Sequence, residues 1–544
     1  MRYQLVLLLL LLLLTACGGS GGAGDPNLAR PTGTPTDVPS ATAVPPARLG
    51  LATLAAATPT GIPAPTSAPT GTPTPLPTAT LTPSPLPTLT PTPDVGAAYA
   101  PAMRPAFVGD IAAYADLPRY SMHMDIAPGA RQLTGSLQIS FPNTTGQLLN
   151  DVALRLYPNF PRDLWGKGGA VRMDITRAAV DGLPVTASYA AQETALLLPL
   201  AQPLAPGATA ILEVDFTATF QPGSDGTFPL PSYYPLPAVH DGDGWRLDVT
   251  TFPDRVFSTS ALYTVQVTVP AGYSVVASGS TVATYPAADG ATTYDIRTGP
   301  VRQFALTVGD FVLTQDAAGE VAVNVYTARG SSLDAAWVAR ISAAALATFE
   351  RRFGPYPYRE LDVHLLPGAF DGGDEYPGLI FVYSDAQVDA GTRYVTAHEV
   401  AHQWWFGLVG NDIFRQPWLD EAFAQYSGII YAEDVEGAAV AQADWEREVM
   451  LRYRGAQADG DLPVGLAITD FPNFNVYYRT VYGKGAVFLA TLRQELGDDL
   501  FFAGLQTYYE RYRYDVATTA DVQQVFEEVS GRDLDALFGW WVGE

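Results

Sequence analysis

Residues 396–407 read Thr396-Ala397-His398-Glu399-Val400-Ala401-His402-Gln403-Trp404-Trp405-Phe406-Gly407. Two histidines four apart lie on one face of a helix, one turn from each other. Both imidazoles can then reach a single tetrahedral Zn2+. Glu399 lies between them in sequence and can sit beside a water at the metal, where it acts as general base. A hydrolytic site of this type needs a third protein ligand and an open fourth position. Downstream stands Trp418-Leu419-Asp420-Glu421-Ala422-Phe423-Ala424-Gln425-Tyr426, with eighteen residues between His402 and Glu421. This segment begins another amphipathic helix, so Glu421 can reach back across the helix pair and complete a His2Glu set for one Zn2+ per chain. The whole chain holds only 5 His. Two core-facing histidines with a capping glutamate would be the bland account of the first motif. A third carboxylate at a suitable distance, flanked by apolar residues, argues against it.

Helical periodicity surrounds this motif. Leu333, Trp337, Ile341, Ala345 and Phe349 fall on one helical face, and Gly354-Pro355-Tyr356-Pro357 stops that helix. Strands are expected at Val321 to Tyr326 and Leu361 to Leu366. Helices are expected over 393–406, 416–434, 437–455, 485–496, 498–513, 519–529 and 533–542. Upstream, from about 115 to 316, the period is two. Leu133, Gly135, Leu137, Ile139 and Phe141 alternate with polar positions, as do Leu212, Val214, Phe216 and Ala218, and Tyr263, Val265, Val267 and Val269. Pro128-Gly129, Pro206-Gly207 and Pro270-Ala271-Gly272 supply turns between such runs. The pattern is that of an antiparallel β domain with one buried face. His123 and His240 are isolated there and read as structural or exposed.

Further upstream, residues 18–97 are low-complexity Pro, Thr, Ala, Ser and Gly without one aromatic, with repeats such as Thr72-Pro73-Thr74-Pro75 and Thr90-Pro91-Thr92-Pro93. Such a segment cannot bury enough apolar surface to fold and reads as a semi-rigid stalk. Before it, Arg2 precedes the apolar run Leu5 to Leu14, followed by Leu14-Thr15-Ala16-Cys17-Gly18. This resembles a bacterial lipobox, which implies cleavage before Cys17, lipidation of Cys17 and an extracytoplasmic, membrane-anchored protein. Cys17 is the single cysteine, so no internal disulfide forms. The chain carries 56 acidic against 31 basic residues, a formal net charge of −25, which argues against nucleic acid as a partner. The expected organisation is 1–16 signal peptide, 17–97 lipidated Cys and stalk, 98–316 β domain and 317–544 zinc peptidase domain.

With the His-Glu-x-x-His motif, the eighteen-residue spacing to Glu421 and the aromatic tail Gln403-Trp404-Trp405-Phe406-Gly407, the sequence resembles the M1 family of gluzincin metallopeptidases, the aminopeptidase N and leukotriene A4 hydrolase family. Phe353-Gly354-Pro355-Tyr356-Pro357-Tyr358 and Gly299-Pro300-Val301-Arg302-Gln303-Phe304-Ala305 extend the likeness over most of the folded body. The resemblance implies a multidomain α+β chain, with an N-terminal antiparallel β saddle-like domain packed on a thermolysin-like, mostly α catalytic domain. It implies that Tyr482, in Tyr482-Gly483-Lys484-Gly485-Ala486, donates a hydrogen bond to the oxyanion of the tetrahedral intermediate. It implies that Gly372 and Gly373 belong to a strand edge holding the peptide backbone, and that Glu375 binds the free α-amine of the substrate. Asp374 and Tyr376 depart from the family's Met and Asn at that motif, so exopeptidase specificity is less firmly implied than hydrolysis. The chain ends soon after Asp533-Leu534-Asp535-Ala536-Leu537-Phe538-Gly539-Trp540-Trp541, which resembles the end of the family's catalytic domain, and a more open cleft is the expectation. The function implied is a zinc-dependent metallopeptidase acting on peptides, in the first place an aminopeptidase. Two alternatives use the same residues: an endopeptidase or oligopeptidase of the same fold, and a non-catalytic surface binding protein. Intact Glu399 and Tyr482 argue against the last, since binding alone needs neither.

Overall fold

The computed structural model describes residues 95–543 apart from 162–170, 253–254, 386 and 388. The segments expected to be signal peptide, lipidated Cys17 and stalk lie outside the described residues, except for 95–97, which fall in a short helix, Val95–Tyr99. Among the described residues no helix is long and apolar enough to cross a membrane.

The period-two segments form an open eight-stranded sheet. From one edge its strands are Ser280–Pro286, Thr292–Arg297, Leu262–Val269, Arg119–Ala127, Gln132–Pro142, Thr209–Thr219, Met173–Val180 and Leu183–Pro184. Leu133, Leu137, Ile139, Leu212, Val214, Phe216, Val265 and Val267 are all buried on its inner face, as the alternation requires. One pairing departs from the antiparallel expectation: Arg119–Ala127 runs parallel to Leu262–Val269, with Met122 opposite Val265. Parallel neighbours need a long crossover, and here residues 128–261 lie between the two strands. Smaller sheets of four and three strands complete this domain.

A five-stranded sheet follows, in the order Phe311–Ala318, Val321–Ala328, Glu360–Pro367, Leu379–Ser384, Gly372–Asp374. It begins at Phe311, inside the 98–316 span assigned to the β domain. The three central strands are parallel and their flanking partners antiparallel. Gly372–Asp374 is therefore an edge strand. Helix Ala335–Phe353 starts at Asp334, whose carboxylate accepts the Trp337 N–H at 3.0 Å. The remaining helices include Ala390–Ala401, Trp418–Tyr431, Leu451–Ala458, Gly485–Leu496, Asp498–Tyr512, Thr519–Ser530 and Asp535–Trp541. Every residue of Trp418–Tyr431 is buried, so this helix runs through the middle of the domain.

The helix expected over 393–406 ends earlier, at Ala401. After it the backbone closes a tight turn, with Gly407 N–H donating to His402 O at 2.8 Å and Val409 N–H to Trp404 O at 2.9 Å. Phe406 takes a left-handed φ of 101° within that turn. The indoles on either side explain the break. Trp404 and Trp405 are fully buried and donate to Gly354 O (2.9 Å) and Ser427 Oγ (3.1 Å), in different directions. Seating both rings in the core outweighs the continued helical period.

Candidate active site

Helix Ala390–Ala401 carries the first two site histidines against the sheet. Asp389 caps it, accepting the N–H groups of Gly391 at 2.7 Å and Thr392 at 3.4 Å. Thr392 Oγ1 also donates to Asp371 Oδ1 at 2.9 Å and meets Ser384 Oγ at 2.9 Å, so the helix start is tied to the ends of the last two strands. The i, i+4 spacing then brings His398 Nε2 and His402 Nε2 to 3.0 Å. Helix Trp418–Tyr431 crosses this helix and places Glu421 Oε2 at 3.3 Å from the first nitrogen and 3.5 Å from the second. Donor atoms of all three residues lie within 4.8 Å of one another, and all three residues are buried.

This cluster has the chemistry of a metal site. Two imidazole nitrogens face each other at hydrogen-bond distance, and Glu421 Oε2 has no hydrogen-bond partner among the described residues. A buried carboxylate oxygen without a donor is costly; a cation held between two imidazoles and a carboxylate satisfies all three. Burial alone would lower the pKa of His402, but the Asp420 and Glu421 carboxylates outweigh it and push it well up; His398 is lowered, chiefly by burial; and Glu421, against its own burial, is held well below the usual carboxylate range by His402 and His398. The N2O donor set suits zinc.

Asp420, which sequence reasoning did not single out, belongs to this centre. His402 Nδ1 lies 3.0 Å from the Trp405 carbonyl and 2.7 Å from Asp420 Oδ1. The ring aims its N–H at the carbonyl; Asp420 Oδ1 accepts no aligned hydrogen bond and acts beside it as a charge. Burial, first of all, raises the Asp420 pKa to about 6, against the pull of His402. The signal for Asp420 was its place next to a ligand on the helix that crosses the histidines.

Glu399 is buried, and a Cβ at Gly373 of the edge strand would overlap its carboxyl group. Only glycine lets the strand lie so close to that side chain. Burial, then the Glu375 carboxylate, Glu421 and Asp374, drive the Glu399 pKa well up despite the opposing pull of His402. The carboxylates of Glu375 and Glu399 and an imidazole nitrogen of His402 again fall within 4.8 Å of one another. Gly372, Gly373 and Glu375 are thus brought to the metal cluster, at the edge of the sheet. Asp374 accepts a hydrogen bond from Tyr383 at 2.7 Å. Tyr376 is packed edge-on against Phe381 at 5.2 Å, and its carbonyl accepts from Gln403 Nε2 at 3.2 Å. Gln403 Oε1 also takes the Gly378 N–H at 2.8 Å, strapping the loop after the edge strand to the histidine motif.

Tyr482 lies on a π-helical turn, Arg479–Lys484, and its ring stacks on His398 at 6.0 Å with an interplanar angle of 11°. The glycines around it are explained by packing. A Cβ at Gly483 would come 2.8 Å from Tyr453 N on the neighbouring helix, and one at Gly485 would run into Ala422 Cβ. Lys484 turns inward and donates to the carbonyls of Asp461 (3.1 Å) and Leu462 (2.9 Å). Widened turns of this kind are frequent at functional sites.

The fold and this site define a β domain followed by a mostly helical domain that carries a buried His-His-Glu cluster. Residues 337–541 match the family model for the peptidase family M1 domain. Among curated relatives, Aminopeptidase 2 of Candida albicans is 27% identical over 253 residues, 44% of this chain and 27% of the relative. Aminopeptidase N of Caulobacter vibrioides is 28% identical over 328 residues, 55% of this chain and 37% of the relative. The chain thus spans well under half the length of these relatives. An M1 zinc metallopeptidase from Deinococcus radiodurans, bound to a Tyr-Ser-Ala substrate, has a TM-score of 0.58 at 20% identity, covering 78% of this chain and 94% of that one. The match extends through both domains and establishes a shared α+β fold.

Proposed function

We propose that the chain is a zinc-dependent aminopeptidase that removes N-terminal residues from peptides. The observation that carries this reading is the meeting of Glu375, Glu399 and His402 beside an edge strand, next to the His398, His402 and Glu421 cluster. His398, His402 and Glu421 would hold the zinc, which when bound would supply an activated water and polarise the scissile carbonyl. Glu399 takes a proton from the attacking water at its carboxylate and returns it to the leaving amine. Tyr482, stacked beside His398, donates its hydroxyl hydrogen to the oxyanion. The edge strand Gly372–Asp374 pairs with the substrate backbone, and Glu375 accepts the α-ammonium group.

Free and N-acetylated forms of one short peptide test the assignment. Acetylation should lower kcat/KM by about 10²-fold or more in the native enzyme, because the charge-assisted hydrogen bond from the α-ammonium group to Glu375 is lost. In Glu375→Gln the gap between the two substrates should shrink. Equal cleavage of both peptides by the native chain would remove the role of Glu375 and leave an endopeptidase or oligopeptidase on the same zinc.

The lipobox-like segment supports a second part of the proposal. Cys17 carries lipid, and the stalk holds the peptidase outside the cytoplasm at a membrane surface. Cys17→Ser should move the protein from the detergent phase to the aqueous phase in a phase-partition assay. No shift on substitution would reject the anchor.

A further inference from the structure

Arg302 places a full positive charge in the interior, 2% exposed, at the end of the β domain. Among the described residues no carboxylate lies within ion-pair reach of it. Its donors go to four carbonyl oxygens on three segments: Ser258 at 3.1 Å, Gly407 and Leu408 at 3.3 Å each, and Asp515 at 2.9 Å. Burying a guanidinium without a counter-charge is unfavourable, and burial lowers its pKa to about 10. The arrangement has a definite geometric result. Two of the four acceptors belong to the tight turn that follows His402.

That turn also carries the Trp405 carbonyl, the group that receives the His402 Nδ1–H at 3.0 Å. The turn has internal hydrogen bonds from the N–H groups of Phe406, Gly407, Leu408 and Val409, but it holds Phe406 at a φ of 101°, an unfavourable conformation for a bulky residue. Outside support comes from two directions. Tyr514 and Gly410 N–H groups zip the turn to the 514–517 segment, through Leu408 O at 2.6 Å and Asp515 O at 2.9 Å. Arg302 sits where these strands of chain meet, and a Cβ at Gly410 would overlap its guanidinium. An N–H fixed by an oriented carbonyl sets which imidazole nitrogen is left for the metal and where it points.

We propose that Arg302 is a positioning residue of the metal centre: from the β domain it clamps the 407–408 turn, so that the Trp405 carbonyl holds His402 in its ligating tautomer and orientation. The β domain thereby sets how tightly zinc is bound. This rests on the reading of His398, His402 and Glu421 as a zinc site.

The test is a zinc-affinity titration of the purified full chain against a chromophoric chelator, with thermal unfolding followed in parallel. The native chain should bind one zinc. Arg302→Met should weaken zinc by about 10- to 100-fold, the usual effect of losing an outer-shell partner. Gly410→Ala keeps the charge but displaces the guanidinium and should weaken zinc in the same direction. Arg302→Lys, with fewer donors, should fall between Arg302→Met and the native chain. Arg155→Met is the control, since Arg155 is equally buried at 2% and bonded at 2.6 Å to the Asp248 carbonyl within the β domain. It should lower the unfolding temperature with zinc affinity intact. If Arg302→Met does not fold, Gly410→Ala and Arg302→Lys decide alone. The proposal is overturned if the Arg302 and Gly410 variants bind zinc within about threefold of the native chain, or if Arg155→Met weakens zinc equally for the same thermal loss. Failure of the native chain to bind zinc at all would reject the zinc reading itself.

Discussion

Removing the Asp420 carboxylate separates charge from orientation at the metal centre. Its Oδ1 stands 2.7 Å from His402 Nδ1, and the side chain is buried, with 2% of the residue exposed. A ligating imidazole is neutral, so Asp420 acts on the ring's N–H dipole and on the charge of the metal rather than as a full ion pair. Desolvation of the buried carboxylate offsets part of that attraction. The surviving effect of such a partner on metal affinity is about 10- to 100-fold, or about 1.4–2.8 kcal/mol. The lower end applies here, because the Trp405 carbonyl keeps the Nδ1–H satisfied at 3.0 Å when the carboxylate is gone. Asp420→Ala should therefore weaken zinc by about tenfold, and Asp420→Asn, which keeps an oxygen but not the charge, by less. The assay is chelator competition at fixed pH and ionic strength, with circular dichroism to confirm the fold. Zinc affinity within about twofold of native in Asp420→Ala would refute the charge argument. A loss as large as that from removing Glu421 would show that Asp420, rather than the Trp405 carbonyl, orients the ring.

Two other substitutions test the chemistry and the fold separately. Glu399→Gln should retain a full complement of zinc while turnover of a peptide reporter falls by about 10²- to 10⁴-fold; undiminished turnover would remove Glu399 as the base. Asp362 lies buried beside Glu360, and Asn324 Nδ2 donates to both carboxylates, at 2.9 and 3.3 Å. Burial and then Glu360 push the Asp362 pKa well up. A raised native pKa means that its contribution to stability is fully present below the unfolded carboxylate value and is lost as pH rises through the native value. Asp362→Asn should thus stabilise the protein near neutral pH by about 1–3 kcal/mol and flatten that decline, as read by denaturant unfolding across pH. An unchanged slope would place the titration elsewhere.

The parts of the fold legible in the sequence were those governed by local periodicity. Leu212, Val214, Phe216 and Ala218 point inward because a strand alternates. His398 and His402 converge because a helix repeats every 3.6 residues. What was not legible depends on partners remote in sequence. The parallel pairing of Arg119–Ala127 with Leu262–Val269 joins strands separated by residues 128–261, which no local pattern connects. The early end of the histidine helix is set by where two indoles find room, against Gly354 and Ser427. Arg302 stands in sequence only as one residue of the Gly299–Ala305 run that extends the family likeness; its place emerges only when 258, 407–408 and 515 close around it. Asp420 stood in plain view beside Glu421, but its use depends on the crossing of two helices.

The same crossing links two site residues that are far apart in the chain. Helix Trp418–Tyr431 presents Glu421 to the histidines, and the next residue, Ala422, fills the space left by the missing side chain of Gly485. Gly485 opens the helix that follows the π-helical turn bearing Tyr482. One close helix–helix contact therefore fixes both the carboxylate ligand and the hydroxyl donor, and Gly483 fixes the other side of the turn against Arg452 and Tyr453. The small residues of the Tyr-Gly-Lys-Gly segment have no chemistry of their own. Their contribution is to bring a tyrosine ring over His398 by letting backbones approach where any larger side chain would force them apart.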